Sequence, residues 1–182
     1  MDPEPTQLGR WPGQPPIRQS FKVPTIVAYP TDPGSLAPVL WGYEAERLTS
    51  NAYVQVRAFK PYLDPATTHE FTGPAGKSLA EVVGDFLQGV YEHLVRELRG
   101  QGLSTDLYDY HVLFTVPAPF NTGTVEAFKR IVNSTGWRHH TVQMELTEPE
   151  AAALHTLHTQ RVLLDRLGIE VCGAILPSTY GV

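Results

Sequence analysis

The sequence predicts an α/β fold, and three observations carry that expectation. Apolar residues recur at three- and four-residue steps from Leu79 to about Arg99, as on one face of a long helix. The run Asp109 to Val116 is nearly continuous in apolar side chains, as in a strand buried on both faces. From there to about Leu167, strand-type and helix-type segments alternate, an order that makes sequential strands parallel. With 182 residues, 42% hydrophobic and 18% charged, the chain can bury the core of one ordinary domain.

Residues 1–21 carry Pro3, Pro5, Pro12, Pro15 and Pro16 and few large apolar side chains, so a mobile proline-rich leader is expected there. Order is expected to begin at Val23–Tyr29, a β-branched run. A turn through Thr31-Asp32-Pro33-Gly34-Ser35 leads to a second strand over Val39–Glu44, paired with the first. A third strand is expected at Tyr53–Val56, running on into Arg57–Lys60, before Pro61, Pro65 and Pro74 impose a loop. Ser78 and Glu81 form a capping box for the long helix, and Gly100 stops it. Pro117 and Pro119 end the Asp109–Val116 strand. A short helix follows from Thr124 to about Asn133, with Val125, Phe128, Ile131 and Val132 inward and Gly136 closing it. Thr141–Leu146 alternates as a strand. Thr147 and Glu150 make a second capping box, with Pro149 in the first turn, where its missing donor matters least.

Composition excludes several function classes. Nineteen acidic residues against fourteen basic give a net charge of −5, the wrong sign for a nucleic-acid surface. The single cysteine, Cys172, excludes an internal disulfide framework and a multi-cysteine zinc site. No run of about 18 apolar residues is present to span a membrane. Met1-Asp2-Pro3-Glu4-Pro5 lacks the features of a signal peptide, so a cytoplasmic location is expected.

Gly76-Lys77-Ser78 before a helix suggests a phosphate loop, but the motif needs a glycine where Phe71 stands; Ser78 reads instead as a helix cap. His155 and His158 share a helix face and could ligate a metal only if His139, His140 or a carboxylate joined them, so no metal site is assigned. Cys172 has no nearby histidine or lysine in sequence to activate it, and no serine-nucleophile elbow is present. Glu148 stands at the mouth of a helix directly after a strand, a position where α/β proteins place ligand-binding groups and where the helix dipole also favours a carboxylate.

Leu113-Phe114-Thr115-Val116-Pro117-Ala118-Pro119-Phe120-Asn121, followed by Thr147-Glu148-Pro149-Glu150-Ala151-Ala152-Ala153-Leu154, resembles the nucleotide-binding domain of the seventy-kilodalton heat-shock chaperones, in wording closer to divergent heat-shock-like members of the actin-like ATPase superfamily. Val23-Pro24-Thr25-Ile26-Val27-Ala28-Tyr29 and Trp41-Gly42-Tyr43-Glu44-Ala45 are similar to upstream segments of that domain, and Phe59-Lys60 to the region of its catalytic lysine. The resemblance spans roughly residues 22–158 and implies a partial actin-like ATPase fold of the ribonuclease-H-like type, a mixed sheet with flanking helices over 22–167, then a divergent tail at 168–182. It implies that Glu148 matches the carboxylate that places the magnesium shell and attacking water. Lys60 matches the lysine on the transferred phosphate, and Pro117 the hinge proline, whose arginine partner is replaced by Val125.

Where that family carries its first phosphate loop, this chain reads Arg10-Trp11-Pro12-Gly13-Gln14-Pro15-Pro16; at the second, Val171-Cys172-Gly173-Ala174-Ile175-Leu176-Pro177. The family binds ATP and magnesium. With both loops missing, the expectation is a truncated chaperone-like protein without ATPase activity and with no cofactor of its own. The alternative is an ATP-binding or chaperone-interacting module completed by a partner chain. Expected partners are chaperones, or a second copy through an exposed sheet edge, with neither nucleic acid nor membrane.

Overall fold

A computed structural model describes residues 10–17, 21–32, 34–64, 67, 70–103, 108 and 110–166, with side chains described through 160 except at 158. Cys172 and the tail from 168 lie outside these residues, as do 1–9 and 18–20 of the expected leader.

β1 (Ile26–Pro30) is the middle strand of a three-stranded antiparallel sheet, flanked by β2 (Leu40–Trp41) and β3 (Tyr53–Arg57). Val27 stands opposite Trp41 on one side and Val56 on the other. Ile26, Val27, Ala28 and Tyr29 are all buried, as a central strand covered on both faces requires. The strand expected over Val39–Glu44 ends at Trp41, because Gly42 takes a left-handed φ of 59° and turns the chain into the short helix α1 (Gly42–Glu46). β3 likewise stops at Arg57 rather than running to Lys60. Ala58 adopts φ 49°, a strained value for a residue with a Cβ, and throws Phe59 into the core and Lys60 into a 3-10 turn over Lys60–Leu63.

α2 (Leu79–Gly100) is the long helix the periodicity predicts. Both halves of its capping box form: the Ser78 hydroxyl accepts from the Glu81 amide, and the Glu81 carboxylate accepts from the Ser78 amide at 2.8 Å. Val82, Val83 and Leu87 are buried, with Phe86, Val90 and Leu94 packed beside them.

β4 (His111–Val116), α3 (Thr122–Asn133), β5 (Thr141–Thr147) and α4 (Glu148–Arg166) complete the chain. β4 and β5 pair in parallel, as the strand–helix–strand order predicts, with an irregularity between Leu113 and Thr115. Asn121 caps α3 through the Thr124 amide, so α3 opens earlier than expected and ends at Asn133, leaving Gly136 to begin a separate 3-10 turn.

Two expectations change here. β4 is buried on one face only: Val112 and Phe114 pack on the core, whereas Leu113 is 50% exposed, because among the described residues nothing covers its other face. The single mixed sheet is replaced by two sheets, antiparallel β2-β1-β3 and parallel β4-β5, with no ladder between them among the described residues. The core joins them instead. Val27 and Tyr29 of β1, Val82 and Leu87 of α2, Ile131 and Val132 of α3, and Trp137 form one apolar cluster against which Phe114, Val142 and Met144 also pack.

Within the segment read as leader, Arg10, Trp11 and Gly13 contact this body, whereas Ile17 is exposed. The Trp11 ring packs edge-on to Trp41 at 6.2 Å and against buried His93 at 5.3 Å, and its indole N–H donates to the Phe21 carbonyl at 3.1 Å. His93 Nε2 donates to the Arg10 carbonyl at 2.8 Å, and Arg47 to the Gly13 carbonyl. Trp41 in turn sits so close to Gly89 of α2 that a Cβ there would fall 2.5 Å from the indole nitrogen. Proline content suggested a mobile leader and gave no sign of these Trp11 contacts. Trp11→Ala is therefore expected to destabilise the fold by about 2–3 kcal/mol, below the fully buried aromatic range because the site is part-exposed; urea unfolding followed by circular dichroism reads this directly, and an unchanged midpoint would show that the contact adds nothing.

Both helix-opening glutamates, Glu81 and Glu150, are held below their ordinary value of 4.5, first by the backbone N–H and then by the hydroxyl of their capping partners Ser78 and Thr147. A lowered carboxylate pKa contributes stability above the ordinary value and loses it as pH falls through the folded value. The first turns of α2 and α4 should therefore loosen as pH drops below about 4.5. E81Q combined with E150Q should flatten that part of the acid transition seen by circular dichroism; an unaltered transition would refute the assignment.

Candidate functional site

The C-terminal ends of parallel strands are where α/β sheets gather ligand-binding groups. Here β4 ends at Val116 and β5 at Thr147, and the chain continues into Pro117 and Glu148 respectively. Thr147 and Glu150 form the capping box of α4: the Thr147 amide and hydroxyl each donate to the Glu150 carboxylate at 2.8 Å. Since Glu150 does the capping, the carboxylate of Glu148 is left for another partner.

That partner is Lys60. Its ammonium donates to Glu148 Oε1 in an ion pair that joins the turn after β3 to the first residue of α4, 88 positions away in the chain. The pair ties the antiparallel sheet's side of the molecule to the parallel sheet's side. The two side chains are 48% and 47% exposed, so water screens the attraction and its stabilising contribution is about 0–1 kcal/mol.

Pro117 accepts a hydrogen bond at its carbonyl from the Phe120 amide at 3.1 Å, closing a turn between β4 and α3. Val125 lies in the first half of α3 and offers no charge to that turn. The structure thus brings Lys60 and Glu148 together, and no contact joins Pro117 to either of them among those described.

The Gly73–Ser78 segment is a 3-10 turn and a helix cap. The Lys77 ammonium is taken up by Asp85 Oδ2 at 3.0 Å and lies 4.9 Å from the centre of the Tyr29 ring, while the Tyr29 hydroxyl donates to the same Asp85 oxygen at 2.8 Å. Burial, with Asp85 adding to it, pushes the Tyr29 hydroxyl well above the usual phenol range, so it stays a protonated donor. Sequence reading missed this trio: Lys77 lies outside α2, just before its cap, and no spacing rule links it to Asp85 or Tyr29.

The His158 side chain lies outside the described residues, and the described histidines do not assemble. His140 lies tilted to Tyr91 at 5.8 Å and edge-on to Tyr110 at 5.7 Å, and His139 Nε2 accepts from Arg138. Among the described residues no three histidine, cysteine or acidic side chains converge in a way that could hold a metal ion. No helix among them is long and apolar enough to cross a membrane.

No protein-family model matches the chain, and no curated protein matches it.

Proposed function

We propose that these residues form a lobe of the actin-like ATPase type, akin to the nucleotide-binding domain of the seventy-kilodalton heat-shock chaperones, that is catalytically silent and works in the cytoplasm. The observation that carries the reading is the Lys60–Glu148 ion pair. The resemblance nominates one as the lysine on the transferred phosphate and the other as the carboxylate that places magnesium and water. Groups with those roles must converge on one phosphate chain, and the direct contact of two residues 88 apart supports that reading. The separation of the two sheets gives further support: in the resembled fold the hairpin of the first phosphate loop neighbours the strand equivalent to β4, and the 182 residues contain no such motif.

Silence follows from what phosphoryl transfer needs. Charge spread over three phosphate oxygens is stabilised by a cradle of backbone donors and by metal-holding carboxylates. One lysine and one glutamate, each neutralising the other, provide neither. Calorimetry with magnesium-ATP should therefore give a Kd no tighter than about 1 mM, near −4 kcal/mol. Micromolar affinity for this chain alone would overturn the reading.

A second reading, an ATP-binding or chaperone-interacting lobe completed by a partner chain, is favoured by the edge of β4 that pairs with no strand among the described residues. It predicts magnesium-ATP binding in excess of the chaperone's own when a seventy-kilodalton chaperone is added to the cell.

A further inference from the structure

We propose that the groove along the outer edge of β3 accepts an extended acidic peptide by strand addition, with a peptide carboxylate held on Arg57. The strand order β2-β1-β3 leaves β3 at the margin, so one side of its backbone has no ladder partner among the described residues. Unpaired strand edges are templates for an incoming strand. Here an open groove of about 380 Å³ is lined by four consecutive residues, Val54–Arg57, and by Tyr62, Phe71 and Thr72–Pro74. Four extended residues span about 13 Å, the length of a short peptide strand.

The chemistry of the lining selects the occupant. Tyr62 and Phe71 pack edge-to-face at 5.4 Å and present an apolar wall for one side chain of the peptide. Arg57 is the one charged residue among those lining the groove. Its guanidinium is fixed in place: Nε and Nη2 donate to Gln55 Oε1 at 3.0 and 2.7 Å. The Gln55 amide is itself anchored on the Ala45 and Leu48 carbonyls at 2.6 and 3.2 Å. Among the described residues Nη1 has no hydrogen-bond partner. A guanidinium positioned in advance loses little freedom when it takes a carboxylate, and no acidic residue is among those lining the groove.

The probe is the synthetic peptide acetyl-Thr-Val-Glu-Val-Thr-amide, titrated into the full chain and followed by calorimetry and by amide chemical shifts. Binding is expected, with the largest shifts at Val54–Arg57 and Thr72–Gly73. The same peptide with Gln in place of Glu should bind at least tenfold more weakly, and Arg57→Gln should erase the difference between the two. Arg57 is exposed, so this variant keeps its fold; Arg57→Lys, which retains charge without the fixed fork, should fall between. A peptide N-methylated at alternate residues, unable to complete a ladder, should not bind. The proposal fails if the acidic peptide does not bind at millimolar concentration, if N-methylation leaves affinity unchanged, if Arg57→Gln binds the acidic peptide as well as the parent chain does, or if free glutarate competes as tightly as the peptide, which would mark a small-anion site.

Discussion

Trp137→Ala should destabilise the protein by about 3–5 kcal/mol, a large part of the 5–15 kcal/mol available to a typical domain. Trp137 is 4% exposed and stands where three elements meet. Its ring packs edge-on to Phe114 of β4 and Tyr91 of α2, both at 5.2 Å, and its indole N–H donates to the Leu87 carbonyl at 3.0 Å. Truncation opens a cavity, and it also removes a contact between α2 and β4, which has no ladder to the first sheet among the described residues. Trp137→Phe keeps most of the apolar area and loses the hydrogen bond, so about 1–2 kcal/mol is expected. Urea unfolding followed by circular dichroism distinguishes the two variants. A loss under 1 kcal/mol for Trp137→Ala would mean that the two sheets are joined some other way.

The elements legible in the sequence are those whose signals are local. Ser78 with Glu81, and Thr147 with Glu150, announce two helices because a capping box is satisfied within four residues. The parallel pairing of β4 and β5 follows from the helix between them. Features decided by distant packing were not legible. The apolar run of β4 reads the same whether one face or two are covered; only the absence of a covering element exposes Leu113. Gly42 and Ala58 end their strands through backbone conformations that composition does not reveal. Trp11 looked like part of a proline-rich leader because its ring partners, Trp41 and His93, are far off in the chain. The Lys60–Glu148 pairing had no sequence signal, since no spacing rule links residues 88 apart; the resemblance singled out each residue separately. The Arg57 groove had no sequence signal: Gln55 and Arg57 two apart on a strand share a face, yet that pattern is too common to single out.

Self-association through β4 is the second large effect expected. β4 is paired on one side by β5 and by no strand on the other among the described residues, and Leu113 presents an apolar side chain on the open face opposite Gln143. An unpaired edge beside exposed apolar surface favours pairing with the same edge of a second copy. Sedimentation should show a reversible dimer at tens of micromolar. Leu113→Lys places two ammonium groups close together in that dimer and should weaken it at least tenfold, about 1.4 kcal/mol. Leu113 is outside the core cluster, so the melting temperature of the monomer should move by no more than a degree or two, contrary to the loss expected if this strand were buried on both faces. Val112→Lys, on the packed face, should instead unfold the protein. A sample that stays monomeric to millimolar concentration, or a Leu113→Lys variant that dimerises as strongly as the parent, would show that the edge is protected in solution and that the two-stranded sheet is complete as it stands.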